Sequence, residues 1–251
     1  MDQTGPLLAA AAEIQRSGEG AQALPVLMRA IGRLGLGQFV FAVERAPDGA
    51  RARITSPGAA ALPELEPDPF LAYCCNDFAP TPTGSVFLPD YQYLDEAARG
   101  FIARADALGM RGGVGLATRL RGPGSAMRGG FNLCGDLSRA EVERHVLPHA
   151  DVLRHLCVMA DRALDAQIGA ILRRSAAARR PVAGLTGREL EVLETMRGGP
   201  SRGECAARLG CGHATVASHL RSAYAKLGAR NLVEALRAMD EAARGARGGR
   251  D

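Results

Sequence analysis

Apolar positions along this chain keep one of two periods, and the changes between them mark its elements. Between Gln22 and Leu34 they fall at Leu24, Val26, Leu27, Ala30, Ile31 and Leu34, one face of a helix that Gly35 and Gly37 end. Gln38–Glu44 is aromatic and β-branched, and with Ala52–Thr55 across a Pro-Asp-Gly turn at residues 47–49 it predicts a hairpin. Residues 56–100 are rich in proline and hold no sustained period. Within them Ser85–Leu88 predicts a short strand, and Pro89–Tyr93 a loop. Leu94–Leu108 reads as a helix with Ala98, Phe101, Ile102, Ala105 and Leu108 on one face, interrupted by Gly100. Val114–Leu120 and Met127–Leu133 predict strands joined by a turn at residues 121–126. This order of elements predicts helices packed on an antiparallel sheet.

Ser138–Arg174 is mostly helical: Ser138 and Glu141 form a capping box, and Val152, Leu153, Leu156, Val158, Met159, Ala163 and Leu164 supply the apolar face. Pro148 should kink or split it. The long segment either carries a dimer seam or only covers the sheet. A small, basic, proline-stopped linker follows at residues 175–184. Beyond it come four short helical patterns. Thr186 with Glu189 makes a capping box that opens the first, Val192, Leu193 and Met196 face inward, and Gly198 and Gly199 permit the exit. Ser201 caps the second, with Cys205, Ala206 and Leu209 inward. The turn at residues 210–212 leads into the third, His213–Ala225, with Val216 and Leu220 inward and His213, Ala214, Ala217, Ser218 and Arg221 outward.

Charge sharpens this division. Residues 171–251 carry 15 Arg and Lys against 8 Asp and Glu, whereas residues 1–170 carry 16 against 19, so the net charge of +4 resides in the last third. An excess of cations on one small domain suits a polyanionic partner such as nucleic acid. The 251 residues, 47% hydrophobic and 23% charged, suffice for two globular domains. No stretch approaches ~18 apolar residues, and Met1–Gly20 lacks a basic n-region and a cleavage-type site, which predicts a cytoplasmic protein without contact to membrane. The six cysteines are scattered and suit buried, reduced thiols. No metal site is expected: His145 and His149 have Pro148 between them, and His219 has no Cys or carboxylate at metal spacing and reads as a helix-packing histidine. No cofactor motif is present, and no nucleophile and base can be paired, so an enzyme is not expected.

Leu185–Leu236 resembles the LuxR-type helix-turn-helix over its whole length. Leu185-Thr186, Arg188-Glu189, Val192-Leu193, Gly199, Glu204, Ala206, Leu209, Thr215-Val216, His219-Leu220 and Lys226-Leu227-Gly228 all fall at the family's spacing without a gap. The resemblance implies that the outward face of the third helix enters the major groove of a palindromic operator in double-stranded DNA, bound by a homodimer. The implied DNA-binding residues are Ser201, Arg202, His213, Ala214, Thr215, Ala217, Ser218, Arg221 and Lys226. Thr215 and Lys226 are placed for phosphates, and Ser218 and Arg221 for base edges. Ala217 stands where the family often has a basic or polar residue.

The family's module serves both phospho-regulated and signal-binding regulators. The acidic residues of a phospho-receiver are missing here, whereas Phe101–Leu120 is similar to the helix, Gly-x-x-x-Gly turn and strand of the autoinducer-binding domain. Asp68-Pro69 lies where that family places a carboxylate for the signal's amide hydrogen. The implied fold is α+β: an N-terminal α-β-α sandwich around an antiparallel sheet, joined to an all-α four-helix helix-turn-helix domain. The expected organisation is a sensor and dimerisation domain over 1–174, the linker 175–184, the DNA-binding domain 185–242 and a disordered basic tail 243–251. Candidate ligand residues are Asp68, Tyr73, Phe87, Tyr91 and Gly113. The chain has no tryptophan, so both of the family's ligand-binding tryptophans are absent. That departure points to a diverged or orphan regulator whose small-molecule signal is an acyl-homoserine lactone, another compound, or none. The alternative is a ligand-independent protein, or an antagonist that pairs with a related regulator.

Overall fold

The structure, a computed structural model, describes residues 3–18, 20–46, 49–65, 68–120, 126–178 and 184–245. The turn residues Pro47 and Asp48, most of the turn at 121–126, linker residues 179–183 and tail residues 246–251 lie outside the described residues. By internal packing the chain divides into two units, one holding Met1–Glu44 and Arg51–Leu172, the other Arg45–Ala50 and Arg173–Asp251.

The first unit opens with a helix the hydrophobic pattern did not single out, α1 (Thr4–Ser17), which buries Leu7, Ala11 and Ile14. Helix α2 (Gly20–Gly32) follows and buries Ala23, Val26, Leu27, Ala30 and Ile31. Strands β1 (Gln38–Arg45) and β2 (Ala50–Thr55), then β3 (Thr81–Thr83), β4 (Gly112–Arg119) and β5 (Met127–Gly135), form one sheet in the order β2-β1-β5-β4-β3. β4 and β5 pair antiparallel with Val114 opposite Leu133 and Leu116 opposite Phe131, and β3 pairs antiparallel with β4. Helix α3 (Glu96–Ala107) is capped by Asp95, whose side chain accepts from the amide of Ala98 at 2.8 Å.

Side chains alternate across a strand, and here the two faces differ in size. One face carries Phe39, Phe41, Phe131, Val114, Leu116 and Leu133, all buried, with Phe41 stacked 4.4 Å from Phe131. The other carries Val40, Ala42, Gly113, Gly115, Ala117, Asn132 and Cys134. Over this small-residue face lie α3, which joins Val40, Met110 and Cys134 in one apolar cluster, and a π-helical turn at Phe70–Cys74, which joins Ala42 and Ala117 in another.

Two expectations are corrected. Ser85–Leu88 is no strand: residues Ser85–Asp90 form a 3₁₀ turn, entered through Gly84 at φ 103° and containing Pro89, which cannot donate to a ladder. The edge strand lies just before it at Thr81–Thr83, where Pro82 is tolerated. The long helical segment is split twice. The Ser138–Glu141 capping box is present and Pro148 ends a distorted first part, α4 (Arg139–Glu141) with its π and 3₁₀ continuation to His149. Helix α5 (Ala150–Ala163) then stops at Leu164, and α6 (Asp165–Ala178) runs four residues into the expected linker. Helix α5 packs against α1, α2 and the strands β4 and β5. A buried ion pair fixes it there: Arg119 at the end of β4 donates to Asp161 through Nε and Nη2, and the Thr118 hydroxyl donates to the same carboxylate at 2.6 Å. Among the described residues no helix is long and apolar enough to cross a membrane.

The C-terminal part of the second unit is helical: α7 (Gly187–Arg197), α8 (Arg202–Arg208), α9 (His213–Leu227) and α10 (Leu232–Gly245) enclose a core of Val192, Leu193, Met196, Cys205, Val216, Leu220, Ala235 and Met239. Helix α10 continues three residues into the segment expected as tail.

Candidate nucleic-acid interface and ligand cavity

In the second unit three local devices hold α9 in place. The Thr186–Glu189 and Ser201–Glu204 capping boxes both form, each closing two backbone amides at a helix start. Gly210, at φ 60°, makes the left-handed turn between α8 and α9, and Arg188 donates from α7 to the carbonyl of Leu209 at 3.0 Å. The third device is a buried carboxylate. Glu189 accepts the Lys226 ammonium at 2.7 and 2.9 Å, the Ser222 hydroxyl at 2.6 Å and the Thr186 amide at 2.7 Å. Burial alone would raise its pKa, but these donors hold it down to about 2. Lys226, expected at a phosphate, is in this structure tied as a strut between α7 and α9.

The remaining expected DNA residues lie on one surface. Arg202, His213, Ala214, Thr215, Ser218 and Arg221 are exposed, Ala217 is half-buried, and Ser201, also exposed, is engaged as the α8 cap. Arg202 and Arg221 have no hydrogen bond or ion pair among the described residues, in contrast to Arg188 and Arg197, which are tied to Glu191 and Asp240. Arg208, which the sequence reading left out, is exposed and equally unengaged. A free guanidinium, whether at the start of α8 as in Arg202 or midway along α9 as in Arg221, is what a phosphate or a guanine edge can take up.

In the first unit the small-residue face of the sheet leaves an apolar cavity of about 80 Å³. Leu62, Phe70, Phe101, Ile102 and Met110 are among its apolar lining residues, with Val40, Asn132 and Cys134 from the sheet. Of the expected ligand residues, Asp68, Tyr73 and Tyr91 line it; Phe87 and Gly113 do not. Phe87 is buried under the Arg139 guanidinium, 5.1 Å from its ring centre, and Gly113 serves the strand pairing, since a Cβ there would lie 2.0 Å from the carbonyl oxygen of Leu133. Asp68 caps the π-helical turn: its Oδ1 accepts the amides of Phe70 at 2.8 Å and Leu71 at 3.4 Å. Burial pushes its carboxyl up, against those amides and the charges of Arg51 and Arg53.

Tyr73 and Tyr93 are 38% and 59% exposed and stack at 5.0 Å, so they stand where the cavity meets solvent. Tyr91 donates to the carbonyl of Pro82, and Arg99 holds the same loop by donating to the carbonyls of Tyr91 and Leu94. Burial lifts Tyr91, Cys74 and Cys134 each to about 12, so none of them ionises near neutrality. Sequence reasoning missed Arg53, Thr83, Tyr93 and Asn132 in the lining. The alternation of β2 was a signal for Arg53, which shares a strand face with Arg51. Among the described residues no group of three or more His, Cys, Asp or Glu could hold a metal ion.

Residues 183–239 match the family of bacterial regulatory proteins, luxR family. No curated protein matches the chain. Among solved structures it is similar to Escherichia coli SdiA, at 19% identity over 98% of this chain and 99% of that one, with a TM-score of 0.48. SdiA in complex with octanoyl-rac-glycerol is similar at 19% identity, covering 96% of each chain, with a TM-score of 0.47. CepR2 of Burkholderia cenocepacia, described as an N-acylhomoserine lactone dependent LuxR family transcription factor, is 19% identical over 68% of this chain and 99% of its own, with a TM-score of 0.43.

Proposed function

From the premise that residues 183–239 are a LuxR-family helix-turn-helix domain, we propose that this protein is a transcription regulator that binds a palindromic operator as a homodimer in the cytoplasm. The observation that carries the reading is the exposed face of α8 and α9, where Arg202 and Arg221 have no partner among the described residues while the bond from Lys226 to the buried Glu189 holds α9 to α7. Dimerisation follows from size, since one recognition helix covers half a site. The first unit, expected to span 1–174, is the sensor: its apolar cavity with convergent polar groups has the composition of a small-molecule site.

Fluorescence anisotropy on a short palindromic duplex selected from random sequence tests the DNA reading. Wild type should bind with a steep salt dependence, and Arg221→Ala should lose roughly 1–3 kcal/mol of discrimination at one base pair. Equal binding by Arg221→Ala to all sequences that wild type binds would remove α9 as the reading element. A second reading, an antagonist that pairs with a related regulator, draws on Ala217, which offers no polar contact at the centre of the exposed face. It requires that the homodimer bind no duplex in the same assay.

A further inference from the structure

We infer that the cavity of the first unit takes an apolar carboxylic acid whose carboxylate pairs with Arg53; this rests on the reading of that unit as a sensor. Arg53 lies on β2 and lines the cavity, and its Nη2 is buried without a hydrogen-bond partner among the described residues. The neighbouring carboxylates are engaged elsewhere. Glu44 accepts from Arg51 at 2.9 Å and from Arg128 at 3.3 Å, and Asp68 has its Oδ1 on the amides of Phe70 and Leu71. A buried guanidinium donor without an acceptor is unfavourable, and guanidinium is the side chain best matched to a carboxylate edge.

The rest of the wall defines the body of the ligand. Val40, Leu62, Phe101, Ile102 and Met110 offer no hydrogen bond and favour an aliphatic or aromatic chain. A neutral ester or lactone carbonyl could accept from Nη2, but a carboxylate makes the stronger, charge-assisted bond; Asp68, which feels the charge of Arg53, uses its Oδ1 for the Phe70 and Leu71 amides. A phosphate is disfavoured, because a dianion needs several donors and Arg53 offers one buried, unpartnered donor, Nη2, among the described residues.

Isothermal titration of the full chain with octanoate, methyl octanoate and octanoyl-homoserine lactone tests this, with Arg53→Met and Arg53→Lys alongside. Octanoate should bind at least about tenfold more tightly than its methyl ester, a gap of one charge-assisted hydrogen bond. Arg53→Met should abolish that preference, and Arg53→Lys should keep part of it. The acid–ester comparison in the wild type stands even if Arg53→Met fails to fold. Equal affinity for acid and ester, or an Arg53→Met protein that keeps the preference, overturns the inference. Tight binding of the lactone alone overturns it too, while leaving the sensor reading intact. Binding of none of the three removes both.

Discussion

Replacing Glu189 with Ala removes one carboxylate and leaves three donors without it: the Lys226 ammonium, the Ser222 hydroxyl and the Thr186 amide. All three bonds end on an ionised carboxylate, for which about 1.5 kcal/mol each is the lower end of the range. The donors are only part-buried and regain water when unpaired, Lys226 at 34% exposure most of all, so the expected loss is lowered to about 3 kcal/mol. For a unit of this size that lowers Tm by roughly 10–20 °C. The measurement is thermal unfolding of the full chain by calorimetry, following the transition of the helical C-terminal unit. Acid adds a second readout. The folded-state pKa of Glu189, about 2, lies below its unfolded value, so the stabilisation is complete above roughly pH 4.3 and is lost as pH falls toward 2. The Ala variant should lack that acid-dependent component. Lys226→Met separates strut from phosphate contact. A strut costs about 1–2 kcal/mol of stability, whereas a phosphate contact alone would leave Tm unchanged and reduce the slope of log affinity against log salt by about 0.9. A Glu189→Ala protein melting within about two degrees of wild type would refute the argument.

Further consequences follow from the same kind of reasoning. Asp161→Ala strips Arg119 and Thr118 of their shared acceptor and should cost the first unit about 3 kcal/mol, read as a lower Tm of its own transition. Gly113→Ala places a Cβ 2.0 Å from the Leu133 oxygen and 2.9 Å from the Cys134 Cα, so β4 and β5 must separate. It should cost at least about 3 kcal/mol, and wild-type urea stability would contradict the geometry. Five cysteines are buried and Cys211 is half-exposed, so brief treatment of the native protein with iodoacetamide should label Cys211 first, as mass spectrometry resolves. Early labelling of Cys74 or Cys134 would mean that the cavity opens widely.

The periodic elements were legible because their faces are unambiguous: α2, β1, β4, β5 and the core positions Val192, Leu193, Val216 and Leu220 lie as their spacing predicts. Helix α1 was not singled out because its alanine run is apolar all round, which hides the face that Leu7, Ala11 and Ile14 define at i, i+4 and i+7. Ser85–Leu88 has strand composition, but the backbone of Gly84 and Pro89 decides against it, and with the strand went the expected direction of Phe87. Leu164 breaks a helical pattern without a proline or glycine to announce it. Lys226 shows the general limit most plainly. From the sequence it is a cation near a recognition helix; its partner Glu189 is 37 residues away, and only the packing of α7 on α9 brings the two together. That Arg53 Nη2 is buried without a partner among the described residues is likewise a property of what surrounds it, with nothing local to reveal it.

The contrast between the two sheet faces sets how the cavity can adapt. On its sheet side the cavity is lined by Val40, Thr83, Asn132 and Cys134, and the Thr83 hydroxyl donates to the Asn132 side-chain oxygen at 2.7 Å. Val40 and Cys134 are buried and the Thr83–Asn132 bond ties the two polar side chains, so this floor acts as a fixed anvil. Tyr73, Tyr93, Phe101 and Ile102, above it, are only partly buried and can turn. Variation in the shape of the occupant is therefore registered by movement of this upper wall, above all by the Tyr73–Tyr93 pair at the opening.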